Sequence, residues 1–530
     1  MVPGFRQVNS WLHGWSGLIL GWLLYAVFLT GTYSFFRDEI TWWMQPELHG
    51  SIPDAETPER ALAKVAELAP TAALWSVILP SDRTESVRLL WREAGQGEMR
   101  GRRMSGRHMD AGTGALLTPR ETSGGEFLYH FHFELYAMPR TWGRWIVGIA
   151  TMAMFVAIVS GVITHKKIFT DFFTFRPGKG QRSWLDAHNV TAVLSLPFHV
   201  MITFSGLVLL AGTLMPWGNL AAGVQGRGGQ PATVAAGPAP EVEPGSRFAP
   251  LAPMLAAAEV AWGQPVGRFV VSDPAGPRPV LELAPRYNPS LLEGGGGGAT
   301  RMRFDARSGT LLESVGTPER SAARAVAASL NSLHRGRFAD PLLRWVYFLA
   351  GVGGTLMVAT GLVLWSVKRA AQRRDAPAPF GHRLVANLNV GAVAGMPVAI
   401  AAHFWANRLL PVDLPDRAGW EINVFFLVWL LTFLHPLLRP LKRAWVEQLA
   451  AAAALLALLP VLNALTTPFT LIDTLAAGRW LLAGFDLTML GLAALFAVAA
   501  WKMHRHDPTR KAGRAGPARR EDQPAPVAAE

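Results

Sequence analysis

The chain has 530 residues, of which 50% are hydrophobic, 20 are tryptophan and none is cysteine. The lack of cysteine excludes disulfides, iron–sulfur clusters, thiolate zinc sites and covalently attached c-type haem. The formal net charge of +12 does not indicate nucleic-acid binding, because the basic residues cluster in short loops beside apolar segments, where they set membrane topology. This composition predicts a polytopic α-helical membrane protein with additional soluble segments.

Eight apolar segments are long enough to cross a lipid bilayer, which takes about 20 residues. The first, 11–36, is followed by charged residues instead of a small-residue cleavage site, which indicates a retained span and not a signal peptide. The other predicted spans are 141–165, 186–214, 342–366, 384–405, 420–437, 447–465 and 479–501. Basic loops follow every second span, so the positive-inside rule places that side and both termini in the cytoplasm.

Two long segments, 37–140 and 215–341, then fall on the opposite side, and each mixes helix-like with strand-like runs. The second opens with a Gly/Pro/Ala-rich linker, Gly223–Gly245, and contains a run of five glycines, Gly294–Gly298. The segments 166–185 and 367–383 are predicted cytoplasmic loops, 384–501 holds four additional spans, and 502–530 is a predicted disordered tail.

The first 366 residues contain an internal repeat. In spans one and three a histidine precedes a glycine by 18 residues, and in spans two and four an arginine precedes a glycine by 17. The matched residues are His13 and Gly31 with His188 and Gly206, and Arg144 and Gly161 with Arg344 and Gly361. Because both copies run in the same direction, a bundle of four spans with a pseudo-two-fold axis along the membrane normal is expected. The last four spans show no such matching and are interpreted as an addition.

Span three carries two histidines, His188 and His199, on one helical face about 16 Å apart. Ionisable residues are costly inside a membrane and commonly mark a function. The hypothesis is that this helix holds haem. The alternative is that His188 lies at the interface and His199 is a hydrogen-bonded polar group between helices.

Several motifs of the repeat resemble the PepSY-associated transmembrane family, and more narrowly its bacterial inner-membrane siderophore reductases. They are L-H-G-W-S-G-L-x-L-G in span one, D-A-x-x-G-x-L-L at 110–117 and 305–312, L-H-R-G-R-F at 333–338, and the segment Gly161–Val190. The resemblance covers about two-thirds of the chain. It implies a cytochrome-like bundle in the inner membrane, two periplasmic α+β PepSY-like domains, and haem b that passes electrons outward to ferric siderophore.

Histidine is the usual axial ligand of haem b. The repeat makes His13 equivalent to His188, near the cytoplasmic side, and His132 equivalent to His334, just outside spans two and four. These are the predicted inner and outer pairs, for two haems. His199 has no counterpart and is predicted to be either a ligand or a polar step between the sites. His165 is a further candidate, which otherwise faces lipid headgroups.

Arg144 and Arg344 lie at the outer ends of spans, against the charge bias. They are predicted either to pair with haem propionates or to extend to headgroups. The four repeat glycines are expected to permit close helix packing. The last spans contain His403, His435, Asp473 and Asp486, which are interpreted as structural or interfacial.

The leading hypothesis is a haem b electron conduit that reduces ferric siderophore at the periplasmic face. No dinucleotide-binding motif is present in the sequence, so the electrons would come from a separate cytoplasmic reductase or from quinol. The alternatives are a sensor whose PepSY domains bind a peptide or protease, and a transporter of the intact siderophore.

Overall fold

The computed structural model describes residues 4–93, 104–165, 170, 172, 174–215, 234–235, 247–286, 300–315, 322–372 and 377–506. The predicted linker Gly223–Gly245, except 234–235, lies outside these residues, as do the glycine run Gly294–Gly298 and the tail beyond His506.

The elements follow the predicted order of span, external segment and span. The first copy contains α1 (Phe5–Ile19), α2 (Gly21–Ser34), α3 (Arg37–Met44), a 3₁₀ turn (Pro46–Leu48), α4 (Thr57–Leu68), β1 (Ala72–Ile78), β2 (Val87–Glu93), β3 (Ser105–Met109), β4 (Leu116–Leu117), α5 (Gly124–Glu134) and α6 (Arg140–Thr164). The second copy contains α7 (Gln181–Leu194), α8 (Leu196–Leu214), β5 (Val234–Ala235), α9 (Leu251–Trp262), β6 (Val266–Ser272), β7 (Val280–Pro285), β8 (Arg301–Asp305), β9 (Leu311–Val315), α10 (Ala322–Arg335) and α11 (Pro341–Gln372). The added helices are α12 (Phe380–Asn389), continued by a π-helical turn (Val390–Ala394), α13 (Gly395–Leu409), α14 (Arg417–Leu438), α15 (Leu441–Ala457), α16 (Leu459–Thr466), α17 (Leu471–Ala476) and α18 (Trp480–Arg505).

Seven helices of the described chain are long and apolar enough to cross a membrane, or eight if the bent pair α1 and α2 forms one span. The predicted polytopic helical class is therefore confirmed. The first predicted span, 11–36, is not one continuous helix, because α1 and α2 meet at 66°. Leu362 of α11 occupies the space beside Gly21 at this break, only 2.6 Å from where a Cβ would lie. Span three is also divided, at Ser195, where Pro197 in the first turn of α8 lacks the N–H that a continuous helix would use.

The first four spans pack with the symmetry that the repeat predicts. Helix α1 lies along α6 as α7 lies along α11, and α2 lies along α11 as α8 lies along α6. The short helices that precede spans two and four obey the same rule, since α5 packs on α2 and α10 on α8. Exchanging the two copies thus reproduces every one of these helix contacts.

The two external segments share one antiparallel sheet of nine strands, in the order β4-β3-β2-β1-β6-β7-β8-β9-β5. The sequence predicted two separate domains, but β1 of the first copy pairs with β6 of the second, with Trp75 opposite Val271. Each half contributes to one core under α4 and α9, in which Val77, Phe269 and Leu283 are fully buried. Pairing at this junction satisfies the backbone of two strands that would otherwise be exposed sheet edges.

The added helices are fixed to the first copy through its external segment. Arg408 donates to the carbonyl of Trp43 at 2.6 Å, and the Trp43 indole donates to Asp486 at 3.1 Å. Arg120 donates to the carbonyl of Asn407 at 2.9 Å. The addition therefore holds the external segment of the first copy, which is farther from it in sequence than that of the second copy.

Candidate functional site

The bundle brings His13 and His188 together, as the repeat predicts. Their rings, on α1 and α7, have centroids 6.2 Å apart at an interplanar angle of 71°. His13 Nδ1 donates to the carbonyl of Ala157 at 2.9 Å, and His188 Nδ1 donates to that of Met357 at 2.8 Å. A carbonyl only accepts, so these bonds place the ring proton on Nδ1 and leave Nε2 as the free lone pair. We call these two residues the distal pair, because they lie away from the sheet.

The second predicted pair, His132 and His334, is also brought together, again with ring centroids 6.2 Å apart. His132 Nδ1 donates to the carbonyl of Val27 at 2.7 Å. His334 Nδ1 lies 2.9 Å from Ser205 Oγ and bonds the carbonyl of Ile202. We call this the proximal pair, because it lies towards the sheet.

The proximal histidines are not ordinary surface residues. They lie on α5 and α10, which fold back against spans one and three instead of standing outside the bundle. Burial lowers the pKa of His132, and burial beside His132 lowers the pKa of His334 to about 3. The neutral imidazole that burial favours is the form that binds iron.

Each of the four histidines rests against one glycine of the repeat. A Cβ on Gly31 would lie 2.7 Å from Cε1 of His132, and one on Gly161 would lie 3.2 Å from Cε1 of His13. The corresponding distances are 3.1 Å both from Gly206 to His334 and from Gly361 to His188. The glycines were expected to permit helix packing, but in this structure they make room for imidazoles.

The glycine positions also explain the hydrogen bonds. In three cases the carbonyl that accepts from Nδ1 belongs to the residue four before the glycine, as with Ala157 and Gly161 or Val27 and Gly31. His334 bonds the carbonyl of Ile202, which likewise lies four before Gly206. A helical Cβ leans towards the N-terminus and covers the carbonyl of the preceding turn. Glycine leaves that carbonyl open, so an imidazole from another helix can donate to it while the helix remains intact.

The spacing of the rings would allow His13 and His188 to hold one haem iron, and His132 and His334 a second. Metal–imidazole bonds are about 2.0–2.1 Å long and Nε2 lies about 1.1 Å from the ring centre, so two imidazoles on one ion have centres about 6 Å apart. The bond from Nδ1 to a carbonyl is the usual orienting contact of a ligating histidine. Among the described residues no group of three or more His, Cys, Asp or Glu could hold a metal ion. A ligand set of only two imidazoles suits haem, whose porphyrin supplies the other four nitrogens.

A cavity of about 900 Å³ connects the proximal pair with the sheet. His132 and His334 line its bundle end, and Ile78, Arg268 and Ala284 of the sheet line the other. Its wall contains eight arginines but only two aspartates, Asp38 and Asp82. The arginines are Arg37, Arg83, Arg144, Arg268, Arg286, Arg335, Arg337 and Arg344.

Arg144 and Arg344 line this cavity, but the structure gives each a carboxylate partner in the chain. Arg144 pairs with Glu134, and Arg344 donates to Glu39 at 2.7 Å. Arg335 and Arg337, which the sequence analysis missed as site residues, form no ion pair within the described chain and flank Gly336 directly after His334. The two arginines of the L-H-R-G-R-F motif were visible in the sequence and were the signal by which they could have been found.

Within the part of the chain that the structure describes, His199 faces no imidazole at the spacing of the two pairs, and His165 lies at the end of α6. His199 is 1% exposed, its ring lies 6.0 Å from that of Phe28, and its Nε2 has no hydrogen-bond partner among the described residues. His165 ends α6, where its Nε2 lies 2.9 Å from the amide nitrogen of Asn189. His403 is buried, with Nδ1 3.2 Å from the carbonyl of Glu421.

Comparison with known proteins places the repeat in a family. The sequence profile of the PepSY-associated TM region matches residues 10–368, which is both copies of the repeat without the added helices. An uncharacterised protein of Pseudomonas aeruginosa is 27% identical over 384 residues, a stretch that covers 68% of this chain and 91% of that protein.

Proposed function

The chain belongs to the PepSY-associated transmembrane family, and from this premise and the two histidine pairs we propose that it is a haem b electron-transfer protein of the bacterial inner membrane. It holds two haems, one at the distal pair His13 and His188 and one at the proximal pair His132 and His334. Its substrate is ferric siderophore, which it reduces from Fe(III) to Fe(II) at the periplasmic face.

One observation carries the proposal, the repeated imidazole pair at 6.2 Å with each Nδ1 held by hydrogen bonding. Haem supplies one-electron iron chemistry at each position. The protein fixes both imidazoles through backbone contacts, so neither ligand has to move when the charge on the iron changes. The apolar spans around them exclude water from the route across the bilayer.

The orientation follows from the charges of the loops. Basic residues after spans two, four, six and eight support an orientation with the distal pair towards the cytoplasm and the sheet in the periplasm. A cytoplasmic reductase or quinol then donates electrons at the distal pair. The proximal pair opens to the cavity, where the acceptor has access. Reduction favours release of iron, because Fe(II) is less highly charged and is held less well by hard oxygen ligands.

The first test is haem content, measured from a reduced-minus-oxidised spectrum and a pyridine haemochrome assay of the full-length protein. We expect two haems per chain. His188→Ala should remove the distal haem, and His132→Ala the proximal haem. The matched control is His130→Ala on the same helix, whose exposed ring contacts Glu134 and no second imidazole among the described residues. Full-length protein that folds and contains no haem would contradict the proposal.

The second test concerns the acceptor. Protein reduced with dithionite and freed from excess reductant should be reoxidised by ferric siderophore, with Fe(II) captured by a ferrous chelator. If the haems remain reduced with every ferric chelate tried, the siderophore assignment is wrong while the electron conduit stands.

A further inference from the structure

We propose that the cavity between the bundle and the sheet is an anion-selective site, which binds a negatively charged ferric chelate through Arg268 and Arg286. This inference rests on the proposed function, because it names the substrate class for the acceptor end of that electron route. It selects carboxylate-rich or catecholate chelates over cationic hydroxamate chelates.

The first step is the charge of the cavity wall. Four of its eight arginines are neutralised by nearby carboxylates. Arg83 bonds Asp38 at 2.7 Å and Glu39 at 2.6 Å. Arg344 also bonds Glu39, Arg144 bonds Glu134, and Arg37 lies 3.3 Å from Asp38 and 3.5 Å from Glu126.

The other four arginines have no carboxylate within salt-bridge distance in the described chain. They are Arg268, Arg286, Arg335 and Arg337. Burial near Arg335 and Arg37 lowers the pKa of Arg337, as expected where positive charge is crowded and uncompensated. A guanidinium remains charged under all ordinary conditions, so the cavity keeps an excess of positive charge.

Haem propionates and an external chelate are both anions that these arginines would attract. The positions of the arginines distinguish the two. Arg335 and Arg337 directly follow the proximal ligand His334 and are placed to neutralise haem propionates. Arg268 and Arg286 belong to the sheet, on the opposite wall of the same cavity. Arg268 is exposed on β6, between Ile78 and Ala284 on the neighbouring strands, which line the cavity with it.

Arg286 supports an external ligand more directly. Its Nη2 donates to the carbonyl of Pro80 at 2.9 Å, while its Nε is buried with no hydrogen-bond partner in the described part of the chain. The Nε is closed to solvent, so an anionic oxygen in the cavity would bond the outer nitrogens of this guanidinium, which has no carboxylate partner in the described chain. The bond to Pro80 holds the Arg286 guanidinium at the junction of the two sheet halves, near β1.

The test separates binding from electron transfer by using gallium(III), which resembles iron(III) in charge and size but is not reduced under these conditions. Full-length oxidised protein is titrated calorimetrically with an anionic gallium tris-catecholate and with a cationic gallium trihydroxamate that bears a free amine. We expect the anionic chelate to bind more tightly, and added salt to weaken its binding.

The variants distinguish the two sources of anion. Arg268→Gln and Arg286→Gln should each weaken binding of the anionic chelate about 10- to 100-fold, with the haem spectrum unchanged. Arg107→Gln, an exposed arginine on β3 away from the cavity, should leave affinity unchanged. Arg335→Gln and Arg337→Gln should instead alter haem retention or midpoint potential.

Equal affinity for both chelates, or full affinity in folded Arg268→Gln protein, would overturn the inference. Because Arg268 is exposed on its strand, that variant keeps the test open if Arg286→Gln fails to fold. Haem present without selective chelate binding would refute only this site. Selective binding to protein that holds no haem would support the site and refute the electron conduit.

Discussion

Gly161 of α6 lies directly against the imidazole of His13, with the position of its missing Cβ only 3.2 Å from Cε1. The same relationship recurs at Gly31, Gly206 and Gly361. Each glycine keeps open the helix carbonyl to which its histidine donates. A methyl group there would press on the ring and cover the acceptor, so the glycine determines where the imidazole points.

Replacing these glycines should therefore displace haem. We expect Gly31→Ala to lose most of the proximal haem, because its new Cβ would lie 2.7 Å from both Cε1 and Nδ1 of His132. Overpacking of this kind costs about 1–3 kcal/mol. Gly161→Ala should reduce distal haem less severely. Haem stoichiometry is the measurement, and Gly17→Ala, where the space is open, is the control. Full proximal haem in Gly31→Ala would show that the glycine does not position the ring.

Ser205 provides a milder test of how the histidines are oriented. Its Oγ lies 2.9 Å from Nδ1 of His334 and donates to the carbonyl of Met201. We expect Ser205→Ala to retain both haems and to shift the midpoint potential of the proximal haem alone, because orienting partners tune the ligand. Redox titration followed at the haem absorption bands measures this. Thr488→Ala on α18 is the control, since its Oγ1 donates to the carbonyl of Gly484 in its own helix, outside the four spans that carry the pairs.

The repeat was sufficient to predict which histidines meet. Equal spacing made His13 equivalent to His188, and His132 equivalent to His334, so a pseudo-two-fold axis had to relate each pair. The depth of the proximal pair was not predictable, because nothing local in the sequence shows that α5 folds back along α2. The role of the repeat glycines was missed for a related reason, since their imidazole neighbours come from distant segments.

The sheet junction shows a second limit. Trp75 and Val271 lie opposite each other across strands almost 200 positions apart in the sequence, and each strand pattern is compatible with a domain of its own. The two strands pair because each would otherwise be an exposed edge whose backbone lacks hydrogen-bond partners, and this is a property of the assembled fold. Arg268 and Arg286 become site residues only through this junction.

His199 should be dispensable for haem binding. It faces no second imidazole at the spacing of the two pairs, although it was predicted as a possible ligand or polar step. We expect His199→Phe to retain two haems per chain. Removing a buried nitrogen that has no partner should also leave stability unchanged or slightly higher. The pyridine haemochrome assay and thermal unfolding measure these effects. Loss of one haem would show that His199 is an axial ligand.

The sheet should lose stability in acid through His108. Burial and the positive charge of Arg88 lower the pKa of His108 to about 4. The unfolded chain therefore binds this proton more readily than the folded one, so stability is complete above about pH 6.5 and falls as pH decreases towards 4. We expect about 1–2 kcal/mol after allowing for partial exposure. His108→Gln should flatten the dependence of the melting temperature on pH in this range. An unchanged slope would show that other groups cause the loss of stability in acid.

The buried pair Arg417 and Glu421 should be essential for attaching the added helices. Both side chains are completely buried on α14, and Arg417 also donates to the carbonyl of Glu121 at 3.0 Å. Arg417→Met would leave Glu421 with an uncompensated buried charge, which costs about 3–5 kcal/mol. We expect a large fall in melting temperature, partly restored by Glu421→Gln in the same chain because the neutral amide removes that charge. The control is Arg439→Met, whose partner Glu447 is exposed. If the double variant is no more stable than Arg417→Met, the loss comes from the carbonyl contacts of Arg417 and not from the unpaired carboxylate.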